Sequence, residues 1–161
     1  MKTKNKLILI LLVIIILGIT YFTFKKFNLG TLTINNQTIK LEIAKSQKEI
    51  TKGLSGRKEL KKDKGMLFIF PDYQIRNFWM KDMLFLIDII WILDNKIIGI
   101  EKNVPLSTDV PLPIYQSPQA INYVLEVTAG FSDKNNIKIN DPVIFNLVIC
   151  ASSLKTGIIK L

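Results

Sequence analysis

Residues 7–24 are 18 consecutive uncharged positions dominated by Ile and Leu, with Lys2, Lys4 and Lys6 before them and Lys25 and Lys26 after. At about 1.5 Å per residue this run sits at the lower edge of a bilayer-spanning helix. From residue 28 the period shortens to two. Thr31 to Ile34 alternates, Asn35-Asn36 carries turn chemistry, and Gln37 to Ile43 alternates again, with Ile39, Leu41 and Ile43 on one side. That is a hairpin with one solvated face. Ser46 followed by Glu49 has capping-box spacing, and Ile50 and Leu54 share a helical face, so a short helix is expected to end near Gly56. Gly65 to Phe70 reads as a buried strand stopped by Pro71-Asp72. Phe78 to Asn103 reads as the central hairpin, turning at Asp94-Asn95. Its first strand is apolar on both faces between Met83 and Leu93, which predicts cover on both sides. Residues 104–119 hold Pro105, Pro111, Pro113 and Pro118 and are expected to carry no regular element. Ala120 to Ala129 is another strand, Gly130 to Asp133 can start one helical turn, and Val143 to Ile149 is a final strand.

The expected fold class is mainly β: a compact antiparallel β barrel or sandwich with one short helix, preceded by an N-terminal transmembrane helix. Three regions follow: a membrane anchor over 1–27, a β-rich globular domain over 28–150 and a C-terminal tail over 151–161. Bulky Ile19, Tyr21, Phe22 and Phe24 follow the apolar core where a cleavage site would need small residues, which favours an uncleaved signal-anchor over a signal peptide. Three lysines and the terminal amine precede the span and two lysines follow. The expected orientation is therefore single-pass, N-terminus cytoplasmic and domain extracytoplasmic, with secretion after signal cleavage as the alternative.

Composition changes this picture little. Of 161 residues, 22 are basic and 13 acidic, for a net charge of +9 and a pI near 9.6. Five lysines flank the apolar run. Four further units of net positive charge come from residues 52–64, which hold Lys52, Arg57, Lys58, Lys61, Lys62 and Lys64 against Glu59 and Asp63. The remainder is balanced, so no nucleic-acid partner is expected. Arg57, Lys58, Lys61, Lys62 and Lys64 are either a solvated loop or a contact for anionic lipid or an anionic wall polymer. The chain has no histidine, which excludes imidazole catalysis and His-ligated zinc. Its one cysteine, Cys150, excludes an intrachain disulfide and reads as a small buried hydrophobe. No cofactor motif or metal-ligand spacing is present, so neither is expected.

The candidate chemistry lies around the central hairpin. Trp79 and Lys81 share a strand face, and Arg76 precedes them. Asp88 sits among apolar neighbours, where a carboxylate needs a partner: Arg76, Lys81 or a backbone amide. Glu126 is a second lone carboxylate within a strand. Asp88 and its partner form either a structural ion pair that fixes the fold or, with Arg76, Trp79, Lys81, Glu126 and a Tyr115 lid from the Pro-rich segment, a ligand-binding cleft.

Gly53-Leu54-Ser55-Gly56-Arg57, Gly65-Met66-Leu67-Phe68, Phe78-Trp79-Met80-Lys81 with Asp88-Ile89, and Tyr123-Val124-Leu125-Glu126 with Gly130 occur in order across about residues 31–146. Together they resemble the family called domain of unknown function 192. Asp82, Met83, Leu86 and Asn140 depart from its usual pattern. The resemblance implies a compact, mostly antiparallel β fold, often exported or anchored, and no established activity. The leading reading is a membrane-anchored binding or accessory module for a small or polymeric polar ligand, rather than an enzyme. A carboxylate-dependent hydrolase of envelope polymers using Asp88 and Glu126 stays open. So does a structural subunit of a membrane complex, with Leu147 to Ile159 as the contact.

Overall fold

The computed structural model of the chain describes residues 6, 8, 10–16, 28–149 and 159–160. Residues 10–16 are helical, apolar and exposed. No helix among the described residues is long and apolar enough to cross a membrane. Seven residues of helix span only about 10 Å, and positions 7, 9 and 17–24 of the predicted span lie outside the described residues, as does Cys150.

The described residues form ten strands: β1 (Asn28–Ile34), β2 (Gln37–Ala44), β3 (Lys64–Gln74), β4 (Asn77–Trp79), β5 (Ile87–Leu93), β6 (Lys96–Val104), β7 (Ile114–Gln116), β8 (Ile121–Thr128), β9 (Ile144–Ile149) and β10 (Ile159–Lys160). Helices α1 (Gln47–Lys52) and α2 (Phe131–Lys134) are short. Eight strands form one sheet in the order β10-β9-β1-β2-β3-β8-β5-β6, and β4 pairs with β7 in a separate ribbon. The fold is mainly β, as expected, but among the described residues the sheet does not close into a barrel. Nor is it wholly antiparallel: β2 and β3 run parallel, Leu41 opposite Gly65 and Ile43 opposite Leu67. A parallel neighbour needs a long crossover, and residues 45–63 supply it by carrying α1 across one face of the sheet. The capping box that starts α1 is present. Ser46 Oγ accepts from the Glu49 amide, and the Glu49 carboxylate accepts from the Ser46 amide at 2.9 Å. Gly53 ends the helix with φ of 46°.

The hairpin at Asp94-Asn95 forms between Leu93 and Lys96, with Asp94 at φ 53°. It begins at Ile87, not Phe78. Ile87 to Ile92 is buried on both faces, whereas Leu84 and Leu86 are exposed. Phe78 and Trp79 belong instead to β4, which pairs with β7, Phe78 opposite Tyr115. A strand therefore does form within the Pro-rich segment, in the proline-free interval from Ile114 to Ser117. Pro71 does not stop β3 either. The strand runs on to Gln74 through a register shift between Ile69 and Gln74, an irregularity of the kind that accommodates a missing N–H.

The register sorts the core into two faces. One carries Leu32, Ile39, Leu41, Leu67, Ile90, Leu125, Val127 and Phe145. The other carries Met66, Phe68, Ile89, Trp91 and Val124, roofed by Leu54 and Leu60 of the crossover and Met80 after β4. Phe78 pins the ribbon to this second face, edge-on to Phe68 at 4.9 Å and to Trp91 at 5.6 Å between ring centroids.

Candidate functional site

Between the crossover, the end of β3 and the β4–β7 ribbon lies a cleft of about 590 Å³. Its walls are Phe68, Phe70, Phe78, Ile50, Leu54 and Met83. Strand alternation explains the placement: Phe68 and Phe70 point to the second face of β3, Phe78 packs inward from β4, and Trp79 turns outward, 55% exposed at the cleft. Gly53 touches the same wall, since a Cβ there would stand 3.3 Å from the Phe68 ring.

Glu126 lies among these aromatics. On the sheet it stands opposite Met66 on β3 and Ile89 on β5, so its lateral neighbours are apolar. It is buried, and its Oε2 has no hydrogen-bond partner among the described residues. Burial pushes its carboxyl up to about 8; the Arg57 guanidinium opposes that shift only in part. Arg57 is held at 2.8 Å by Glu42, which occupies the same cross-strand row one strand beyond Met66. The carboxyl is therefore largely protonated at neutral pH.

Arg76 lines the cleft from the β3–β4 connection. Its guanidinium stacks 4.0 Å over the Phe70 ring and pairs with the Asp72 carboxylate and carbonyl. Its backbone is fixed by Ser117, whose Oγ accepts from the Arg76 amide and whose amide donates to the Arg76 carbonyl, both at 2.9 Å. Nε of Arg76 is buried without a partner among the described residues. Lys45, Gln47, Lys52, Asp72 and Asn77 add to the polar lining.

Of the residues singled out in the sequence, the cleft gathers Trp79, Arg76 and Glu126. It does not gather the others. Lys81 is exposed in the turn after β4, and its carbonyl accepts from Ser55 Oγ at 2.8 Å. Tyr115 is half-buried in β7 and packs against the second core rather than forming a lid. Asp88 stands opposite Val127 while Glu126 stands opposite Ile89, so the two carboxylates point to opposite faces of the sheet. Asp88 pairs with neither Arg76 nor Lys81. Its Oδ1 accepts from the amides of Asn103 at 2.8 Å and Gly130 at 3.1 Å, and its Oδ2 from the Ser132 amide at 2.8 Å. It ties β6 and α2 to β5. In the basic stretch, Arg57 and Lys64 face Glu42, while Lys58, Lys61 and Lys62 are exposed. No cluster of His, Cys, Asp or Glu among the described residues could hold a metal ion.

Phe68, Phe70, Leu54 and Gln47 were not legible as site residues. Their signal was the Phe-x-Phe alternation of β3 next to a capped helix, which becomes a cleft only once the crossover is known to be parallel.

Comparison with known proteins places this arrangement. The family model described as DUF192, "Uncharacterized ACR", matches residues 30–145. No curated protein matches the chain. Two crystal structures share the fold. One is a protein of Sinorhizobium meliloti 1021 described as a candidate transcription regulator, 27% identical, with a TM-score of 0.64 over 72% of this chain and 91% of its own. The other is a protein of unknown function from Novosphingobium aromaticivorans DSM 12444, 25% identical, with a TM-score of 0.64 over 72% of this chain and 82% of its own.

Proposed function

The chain belongs to the DUF192 family, and because that description assigns no activity we propose its function from the cleft: a membrane-anchored extracytoplasmic module that binds a saccharide of the cell envelope. The carrying observation is one exposed aromatic, Trp79, at a cleft walled by three phenylalanines and edged by Arg76, Gln47 and Asn77. A sugar ring offers an apolar face and a polar rim of hydroxyls. It is matched by an aromatic plate next to side-chain donors and acceptors, and the cleft falls in the usual size range for small-ligand sites, about 300–1,000 Å³.

Two observations support the placement at a membrane. Leu11 to Ile16 expose apolar side chains all round the helix, each 49–59% accessible, a pattern suited to lipid rather than to one face of a soluble domain. Exposed Lys58, Lys61 and Lys62 would meet anionic headgroups or an anionic wall polymer. Membrane pellets washed with alkaline carbonate should retain the full chain, and protease added outside intact cells should remove the β domain; recovery of the domain in the medium would replace anchoring with secretion.

The hydrolase reading is weaker. Asp88 is on the far face, and the other carboxylate of the cleft, Asp72, is engaged by Arg76 and Gln74. Binding is tested by calorimetry on the full chain in detergent micelles with envelope-type oligosaccharides. Trp79→Ala should weaken binding at least tenfold while leaving the melting temperature within about 2 °C, because the ring removed is mostly in solvent. Unchanged affinity in that variant would remove Trp79 from the site, and no saccharide binding at all would remove the function proposed.

A further inference from the structure

Two residues that line the cleft, Glu126 and Arg76, each carry a buried polar atom, Oε2 and Nε, that has no partner among the described residues. Buried groups of this kind are normally satisfied, so a pair of them in one cavity calls for a ligand or water to complete them. What the ligand must present follows from the charges around Glu126. From the crossover that covers it comes Arg57, bonded to Glu42 at 2.8 Å. From the end of β3 and its connection come Asp72 and Arg76, bonded to each other. From β2's end and α1 come Lys45 and Lys52, both solvent-exposed. On the sheet itself Glu126 meets Met66 and Ile89.

A ligand cation would approach past Lys45, Lys52 and Arg76. A ligand anion brought to Glu126 would find both nearby guanidiniums already committed to carboxylates, and burial of a charge without a partner is costly. A neutral group is left. The neutral acid form of Glu126 has an O–H to donate, and the strongest neutral acceptor carried by common sugars is an amide carbonyl.

We propose that the cleft selects acetamido sugars, with the Glu126 O–H donating to the acetamido carbonyl, the acetamido methyl against Phe68 and Phe78, and Arg76 Nε–H donating to a ring hydroxyl. The inference rests on the saccharide reading above and adds the class of sugar. It also makes binding depend on one proton, since the carboxylate form loses its donor and turns an acceptor toward an acceptor. Burial holds the Glu126 carboxyl up to about 8, which places the loss above neutral pH.

Calorimetry on the full chain in micelles, from pH 5.5 to 9, would compare the β-1,4-linked tetramer of N-acetylglucosamine with that of glucose. Neither sugar titrates in this range. At pH 6 the acetamido tetramer should bind at least tenfold more tightly. Its affinity should fall nearly tenfold per pH unit above about 8, the slope for one coupled proton. Glu126→Gln, whose amide can still donate, should bind the acetamido tetramer with affinity flat in pH. Equal binding of the two tetramers, or a flat profile in the wild-type chain, overturns the inference while leaving the saccharide reading standing. Absence of binding by either tetramer at any pH overturns both.

Discussion

Replacing Glu126 with Gln should stabilise the protein, and by an amount that grows with pH. In the folded chain burial raises the carboxyl from its ordinary 4.5 to about 8. Between those values the native state keeps a proton that the unfolded chain releases. Stability therefore falls as pH rises through this window, by about 1.4 kcal/mol per pH unit. From pH 5 to pH 8 the loss attributable to Glu126 is roughly 3–4 kcal/mol after rounding near the two ends. Gln has nearly the same shape and does not titrate. The variant should match the wild-type chain at pH 5 and exceed it by roughly 3–4 kcal/mol at pH 8, a rise in melting temperature of about 10–15 °C for a domain of this size. Urea unfolding of both full-length chains at pH 5, 6, 7 and 8, followed by circular dichroism, reads the difference directly; other titrating groups cancel because both chains carry them. Two parallel stability curves would refute the reasoning. They would mean that Glu126 is ionised in the folded state, with Arg57 drawn away from Glu42 to neutralise it.

Asp88→Asn keeps the shape of the side chain but faces an amide –NH2 toward at least one of the three backbone amides now bound to the carboxylate, and should cost about 2–4 kcal/mol in urea unfolding. The same variant should leave saccharide affinity unchanged where it is folded, since Asp88 lies on the face away from the cleft. Gly65→Ala places a Cβ 2.9 Å from Leu125 Cδ1 and 3.1 Å from the Glu126 carbonyl oxygen, where β3 packs into the sheet. It should lower stability by about 1–3 kcal/mol, measured by the same unfolding midpoint.

Local signals were legible where the partners are close in sequence. Asp94-Asn95 announced its hairpin, and Ser46 with Glu49 announced α1, because turn and cap chemistry act over two to four residues. The parallel pairing of β2 with β3 was not legible. A helix between two strands is the usual mark of a parallel crossover, but here α1 is six residues long and the rest of the connection is a lysine-rich run that reads as surface. Missing that crossover hid the cleft, since the crossover is one of its walls. In the sequence Phe78 and Trp79 look like one unit with the hairpin, although alternation sends one into the core and the other to solvent.

Asp88 and Glu126 make the sharpest contrast. In the sequence they are the same feature, a lone carboxylate inside an apolar strand, and both carry the same warning about cost. Their fates are set by distant chain segments. Asn103, Gly130 and Ser132 converge on Asp88 and satisfy both of its oxygens, so its burial is explained by the fold it ties together. Nothing among the described residues converges on Oε2 of Glu126, yet that residue stands one step away on the neighbouring strand, on the face where the aromatics are. A fold that can recruit three amides to one carboxylate has the means to satisfy another, or to replace it with Gln and gain stability at neutral pH. Keeping an acid there, unpartnered and lining a cleft, is a cost that folding does not recover, and a ligand bound in that cleft is what can recover it.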